Sequence, residues 1–339
     1  MATIKEVAKS AGVSVGTVSN VLNGLDTVSE ANREKVEDAI KSLNFRPNKI
    51  AASLSKKRTG NIGVILPDIS SPFYSDLIKG ISETFENNGY NIFLSGSNDN
   101  IEKETKLIND LMAQWVDGII IVPVYARETE PSILAECNVP VVLVNREIKG
   151  LNLDIVVFNN FAGAYEATNY LIANNHKKIA ILSGPKYSRS FEDRFLGWKE
   201  AMEEHGLYDE SLVFADEYSV ESGYRAMKKA FGRLKEIDAV FASSDLIALG
   251  AISAIRESGL KIPDEISITG FGDIYLSKYL EPSLTTIKRP FYNIGKTAVS
   301  MLMERMTRIK AGEGFGEKPV RIVLEGNLEI RNSVKTRQI

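Results

Sequence analysis

The chain has little of what covalent and metal chemistry usually require: one cysteine and two histidines in 339 residues. A lone Cys137 excludes an internal disulfide framework, and its place beside the apolar run Val139–Val144 predicts a buried thiol. His176 falls in the helix-to-strand loop Asn175-His176-Lys177-Lys178, and neither it nor His205 belongs to a cluster with metal-ligand spacing. There is no Gly-x-x-x-x-Gly-Lys loop to cradle a phosphate and no nucleophile elbow to present a serine. Catalysis therefore has no candidate machinery, and neither a metal nor a cofactor is expected. Long apolar runs are missing as well. No stretch can span a bilayer, and Met1-Ala2-Thr3-Ile4-Lys5-Glu6 holds no apolar signal-peptide core, so a cytoplasmic protein is expected.

What is present is an ordinary globular composition, 44% hydrophobic and 25% charged, in a chain too long for one ordinary core. The charge is segregated. Residues 1–60 hold ten Lys/Arg against six Asp/Glu and residues 61–339 hold 31 against 38, so the net −3 hides a basic head on an acidic body. In the body, β-rich runs (Ile62–Leu66, Tyr90–Ser95, Gly118–Val122, Val139–Val144, Ile155–Phe158, Lys178–Leu182, Ala239–Ala242, Ser267–Phe271) alternate with helical patterns. The helices are expected at Pro72–Asn88, Ile101–Gln114, Gly163–Asn174, Glu192–Glu204, Ser222–Arg233 and Leu246–Ser258. Strand then helix, repeated, predicts an α/β body of doubly wound parallel sheets in two lobes, with a ligand bound between them at the strand C-termini.

The head is helical. Thr3-Ile4-Lys5-Glu6 is a capping box, followed by Ile4, Val7, Ala8 and Ala11 on one helical face. Gly12 suits a tight exit, and Ser14 caps a second helix that carries Val18, Val21 and Leu22 inward. A third helix, Ser29–Leu43, closes the core with Val36, Ala39, Ile40 and Leu43. Outward positions Val15, Gly16, Ser19 and Asn20 then lie near the second helix N-terminus, where a recognition helix meets base edges; a plain three-helix bundle fits the same periodicity. Lys5, Lys9, Arg33, Lys49, Lys56, Lys57 and Arg58 offer phosphate contacts, which carry salt-dependent affinity without reading sequence. Pro47 stops the third helix, and Asn48–Ser55 has only Ala51, Ala52 and Leu54 as apolar side chains on a short helix that cannot stabilise itself.

Three runs of residues resemble one family: Thr3-Ile4-Lys5-Glu6-Val7-Ala8, Ala11-Gly12-Val13-Ser14 and Thr17-Val18-Ser19 with Val21-Leu22-Asn23. With Phe45-Arg46-Pro47-Asn48 and Ala51-Ala52-Ser53-Leu54, they look like the headpiece and hinge of the LacI/GalR family of bacterial transcriptional regulators. Body segments Ile62-Gly63-Val64-Ile65, Pro72-Phe73-Tyr74, Val116-Asp117-Gly118-Ile119-Ile120, Ser244-Asp245, Gly270-Phe271-Gly272-Asp273 and Leu284-Thr285-Thr286-Ile287 resemble its effector domain, which is similar to periplasmic sugar-binding proteins. The resemblance implies a helix-turn-helix domain over 1–46, a hinge over 47–60 and an effector-binding and dimerisation domain over 61–339. Lobe one would comprise about 61–160 and 291–319, and lobe two about 161–290 and 320–330, with three crossings between them. It implies a nucleoid-associated homodimer on a pseudo-palindromic operator, acting as a repressor under a small sugar or sugar-derivative effector. The rival is a sugar-binding transport protein with no DNA role.

Residue by residue, the resemblance assigns DNA contacts to Thr3, Ser14, Val15, Gly16, Thr17, Ser19, Asn20, Asn23, Ser29, Asn48, Ala51, Leu54 and Ser55, with Leu54 wedging into the minor groove. It points Phe73, Asn145, Arg146, Arg194, Asp245 and Asp273 at the effector. The residues give supporting reasons: a ring at Phe73 stacks on a sugar face, Arg146 presents a planar fork of donors, and Arg194 near a helix start opposes the dipole. Asp245 taken alone reads more readily as an N-cap, and only the resemblance points it at the effector. Four positions depart from the family pattern. Asn20 stands where arginine is common, which predicts adenine for guanine in the half-site. Asn145 and Asn159 replace aspartates, and Gly272 replaces another. With Lys186, Arg189 and Arg289 near the cleft, a sugar acid or sugar phosphate becomes an expected effector class.

Overall fold

The computed structural model describes residues 2–25, 27–45, 59–124, 133–148, 150–233, 236–313 and 318–338. The hinge positions Asn48, Ala51, Leu54 and Ser55 and the cations Lys49, Lys56, Lys57 and Arg58 lie outside the described residues. The chain divides into two compact units, Met1–Gly60 and Asn61–Ile339.

The first unit holds three helices, α1 (Ile4–Ala11), α2 (Val15–Leu22) and α3 (Glu30–Ser42). Its core is small: Val7, Ala8, Ala11, Val18, Val21, Val36 and Ala39 are buried, with Ile4, Val13, Val28, Ile40 and Phe45 packed against them. Leu22 and Leu43 do not join it as the periodicity predicts, being 36% and 37% exposed. Both stand at the C-terminal ends of their helices, past the reach of so compact a core.

In the second unit the first sheet contains β1 (Asn61–Leu66), β2 (Asn91–Gly96), β3 (Gly118–Ile121), β4 (Val141–Val144), β5 (Asp154–Phe158) and β11 (Arg321–Leu324), in the order β11-β5-β4-β3-β1-β2. The second contains β6 (Ile179–Ser183), β7 (Val213–Ala215), β8 (Ala239–Ala242), β9 (Ser267–Gly272), β10 (Thr285–Lys288) and β12 (Asn327–Glu329), in the order β12-β10-β9-β8-β6-β7. Every pairing is parallel except that of β12 with β10. The central strands are continuous apolar runs, as burial on both faces demands. The covering helices are α4 (Ser75–Glu86), α5 (Ile101–Ala113), α6 (Asn160–Ala173), α7 (Arg189–Glu204), α8 (Val220–Arg233), α9 (Asp245–Glu257) and α10 (Phe291–Lys310). Helix α10 packs on α4 and on β3, β4 and β5, so the chain returns to the first lobe after β10.

The last crossing falls later than expected. Residues 321–324 pair with β5 in the first sheet, and only 327–329 belong to the second, so the stretch 320–330 is shared between lobes and does not belong to lobe two alone. Gly326 marks the switch. A Cβ there would strike the Lys288 carbonyl and the Phe158 ring, so the end of β5, the end of β10 and the β11–β12 link run in contact with one another. The crossing comes at 325–326 because only glycine lets the third segment press onto the other two.

Candidate functional site

The headpiece site is built from capping chemistry. The Thr3 hydroxyl accepts from the Glu6 amide at 3.3 Å, and the Thr3 amide donates to Glu6 Oε2 at 2.7 Å, closing the capping box. Those bonds to Thr3 hold the Glu6 carboxyl below its ordinary range. Gly12 ends α1 at φ 66°, a left-handed conformation open to glycine at little cost. Two residues later Ser14 Oγ accepts from the Thr17 amide at 3.0 Å and lies 2.9 Å from Thr17 Oγ1. Asn23 Nδ2 donates to the Ser19 carbonyl at 2.8 Å and closes the other end of α2. Thr3, Ser14, Val15, Gly16, Asn23 and Ser29 are exposed, and Thr17, Ser19 and Asn20 are half-buried. One outward strip therefore begins at the N-terminus of α2 and is available to a groove.

In the body, both sheets direct their strand C-termini at the space between the lobes. Arg146 follows β4 and is 6% exposed; its NH1 donates to Asp99 Oδ1 at 2.9 Å and to the Pro123 carbonyl at 2.8 Å. Arg194 is 3% exposed, with Nε on Asn160 Oδ1 at 2.9 Å and NH1 on the Ser243 carbonyl at 2.7 Å. It sits in the second turn of α7, which starts at Arg189, so the dipole argument for it does not apply. Arg289, following β10, is also 3% exposed and donates to Asn145 Oδ1. Asn145 itself adopts φ 66°, which asparagine tolerates.

Aromatic rings join two of these arginines into a closed circuit. The Arg289 guanidinium lies 4.6 Å from the Phe73 ring centre, Phe73 is 6.4 Å from Tyr218, and Tyr218 is 5.6 Å from Phe191. Arg194 lies 4.8 Å from Phe191 and 4.2 Å from Phe271. Phe271 is 5.7 Å from Phe158, which returns to Arg289 at 5.1 Å. The circuit passes from lobe one at Phe73 to lobe two at Tyr218, and back through Phe158. Flat apolar faces interleaved with planar donors suit a ligand with both C–H faces and oxygens.

Asp245 occupies another role than capping: Ser244 caps α9, accepting from the Leu246 amide at 3.2 Å. The Asp245 carboxylate is wholly buried and accepts from Thr286 Oγ1 at 2.6 Å, Ser277 Oγ at 2.8 Å and the Ile274 amide at 2.9 Å. Burial drives its pKa up against the pull of those three bonds. Asp273, at φ 51°, receives Arg331 NH2 at 2.6 Å. Beside it a cavity of about 200 Å³ is lined by Phe73, Asp76, Asp273, Tyr275, Lys278, Lys288, Arg289 and Arg331.

Of three further cations expected near the cleft, only Arg289 reaches it. Lys186 is exposed, and Arg189 pairs with Asp193 at 2.9 Å on the surface of α7. Sequence reasoning missed Asn160, Phe191, Tyr218 and Phe271 as cleft residues. Phe271 and Asn160 end a strand and open a helix, a position that signals a cleft; Tyr218, in an irregular loop, carries no such signal.

A basic three-helix head joined to a two-lobed, parallel-sheet body with a residue-lined cleft defines a ligand-responsive DNA-binding protein. Residues 3–48 match the family described as bacterial regulatory proteins, lacI family, and residues 59–323 match the periplasmic binding proteins and sugar binding domain of that family. The chain belongs to the LacI family of bacterial transcriptional regulators. Among relatives, the HTH-type transcriptional regulator RegA of Clostridium saccharobutylicum is 38% identical, over 92% of this chain and 95% of that one. Two solved structures align along 98% of this chain: a transcriptional regulator CelR–cellobiose complex (TM-score 0.73, 32% identity, all of that chain) and a Lac repressor dimer bound to operator and the anti-inducer ONPF (0.83, 28%, 99% of that chain). These relatives are regulators, not transport proteins or enzymes. No helix among the described residues is long and apolar enough to cross a membrane.

Proposed function

We propose that this regulator binds a pseudo-palindromic operator as a homodimer and represses from it, and that a small sugar or sugar derivative in the interlobe cleft changes its operator affinity. The arginine–aromatic circuit carries this reading: it sits at the C-terminal ends of both sheets and unites residues of both lobes around one space, including Phe73, Asn145, Arg194 and, through Phe271, the strand that leads to Asp273. We assign Arg146 and Asp245 to the same effector site. On the headpiece, Val15, Gly16, Ser19 and Asn20 read base edges, while Thr3, Ser14, Thr17, Asn23 and Ser29 hold phosphates; the hinge positions Asn48, Ala51, Leu54 and Ser55 contact the operator centre.

One headpiece buries too little surface for operator affinity, which requires two copies. Exposed Ile69, Phe93 and Leu94 around edge strand β2, with Tyr275, Leu276 and Tyr279 on the other lobe, supply surface for a second copy. We assign residues 1–46 to DNA, 47–60 to the hinge and 61–339 to effector binding and dimerisation, in a cytoplasmic, nucleoid-associated protein. Fluorescence anisotropy on a labelled operator selected from random DNA, with and without a sugar panel, tests the reading. A change of operator affinity that depends on both ligand and Arg194 is expected; operator binding indifferent to every ligand in the panel overturns the coupling.

A further inference from the structure

We propose, resting on the effector reading of the cleft, that Asp245 is a positioning residue of that site: without touching the ligand, its buried carboxylate fixes the turn that carries Asp273 to the strand that leads to Arg289. Asp245 is the first residue of α9, and Ser244 already caps that helix, so the Asp245 side chain is left for longer bonds. It is 1% exposed and closed to a ligand, and its two oxygens divide between separate segments. Oδ2 accepts from the Ile274 amide at 2.9 Å and from Ser277 Oγ at 2.8 Å, while Oδ1 accepts from Thr286 Oγ1 at 2.6 Å.

Both segments reach the cleft within a few residues. Asp273, at φ 51°, directly precedes the Ile274 amide; its carboxylate takes Arg331 NH2 at 2.6 Å and lines the cavity of about 200 Å³ with Phe73 and Arg289. Beyond it the chain folds tightly, the Ser277 amide donating to the Ile274 carbonyl at 2.8 Å and the Leu284 amide to the Ser277 carbonyl at 2.8 Å. Thr286 lies in β10, and Arg289 follows that strand. A Cβ at Gly270, the partner of Thr286 in β9, would strike Oδ1, so glycine there is what admits the carboxylate over the β9–β10 pair. A carboxyl group buried this deeply costs more than an apolar side chain of its size, and burial raises its pKa. What the burial secures is register: one group holds Asp273 and Arg289 at a fixed spacing along the same wall.

Hydrogen exchange read by mass spectrometry, on the full chain without ligand, tests the anchor directly. Asp245→Ala should speed exchange over residues 272–279 by about tenfold, with the strands of lobe one unchanged. Asp245→Asn keeps an acceptor for Ile274 and Ser277 and offers Thr286 a donor, so its exchange should stay within about twofold of wild type. Should Asp245→Ala not fold, Ser277→Ala removes one of the three bonds and should loosen the same segment by a smaller factor. Unchanged exchange over 272–279 in the folded variants, or acceleration spread evenly over lobe two, overturns the proposal. Isothermal titration with glucose, galactose, ribose and cellobiose adds the functional arm. Asp245→Ala should weaken whichever sugar binds by about tenfold and do nothing further in an Asp273→Asn background, because it acts through Asp273. Equal weakening in both backgrounds marks a merely structural role and overturns the proposal too. Binding of none of the four sugars to wild type overturns the sugar-effector reading alone, and where no titration is measurable the exchange result decides the anchor.

Discussion

The headpiece and the cleft solve recognition in opposite ways. The outward residues of α2 are exposed or half-buried and held by bonds three or four residues long, such as Ser14 to Thr17 and Asn23 to Ser19. The cleft residues are buried and held by bonds that span the chain: Asn145 to Arg289, Arg194 to Asn160, Asp245 to Thr286. A locally built surface can change its reading residue by residue, whereas a circuit of interlocked groups changes only as a whole.

That contrast can be broken experimentally, most forcefully in the body. Phe271→Ala removes a buried ring shared by Arg194, Phe158 and Phe241, and should cost about 3 to 5 kcal/mol in urea unfolding with loss of ligand binding. Asp245→Ala leaves three buried donors without their acceptor and should cost about 1 to 3 kcal/mol. Retention of wild-type stability by Phe271→Ala would show that the circuit does not act as a unit, and retention by Asp245→Ala would show that its three bonds contribute little. In the headpiece, Ser14→Ala should remove about 1 kcal/mol of helix capping, weaken operator binding and leave ligand titration unaltered. An altered ligand titration would show that the two regions are not independently built.

Acid separates the regions further. Glu6 is held below the ordinary carboxylate range by its bonds to Thr3, so its stabilisation is present above that range and fades as pH falls through its lowered pKa. The Asp245 pKa is raised by burial, so its contribution is fullest below the ordinary carboxylate range and declines as pH rises through its folded pKa. Amide NMR between pH 6 and pH 3 should therefore show α1 fraying while the Ile274 and Ser277 signals hold or sharpen. Simultaneous loss of both sets would contradict this. The smallest expected effect is on reading itself: Asn20→Arg should return guanine for adenine at one base of a selected half-site with stability unchanged.

The same contrast explains what was legible in the sequence. Gly12, Ser14 and the capping box are defined by neighbours within four positions, so the headpiece follows from spacing. The strands β1 to β6, β8 and β9 announce themselves as apolar runs. The short strands β7, β10, β11 and β12 do not: β11 and β12 are partly exposed edge strands, and Thr285-Thr286-Ile287-Lys288 is too polar to stand out. Arg194 is reached by resemblance alone, its helix-start argument having failed, and Asp273 by resemblance and by its place just past a strand. Arg289 was visible only as a nearby charge, because its cage joins Phe73, Phe158 and Phe291 from distant parts of the chain.

The seam at Gly326 limits what any ligand can say to the rest of the molecule. At Gly326 the last link between the lobes lies against the Lys288 carbonyl and the Phe158 ring, so the three connections meet at one place. A side chain larger than glycine at 326 would strike Phe158, a ring of the arginine–aromatic circuit, and should therefore disturb the lobe connection and the cleft together.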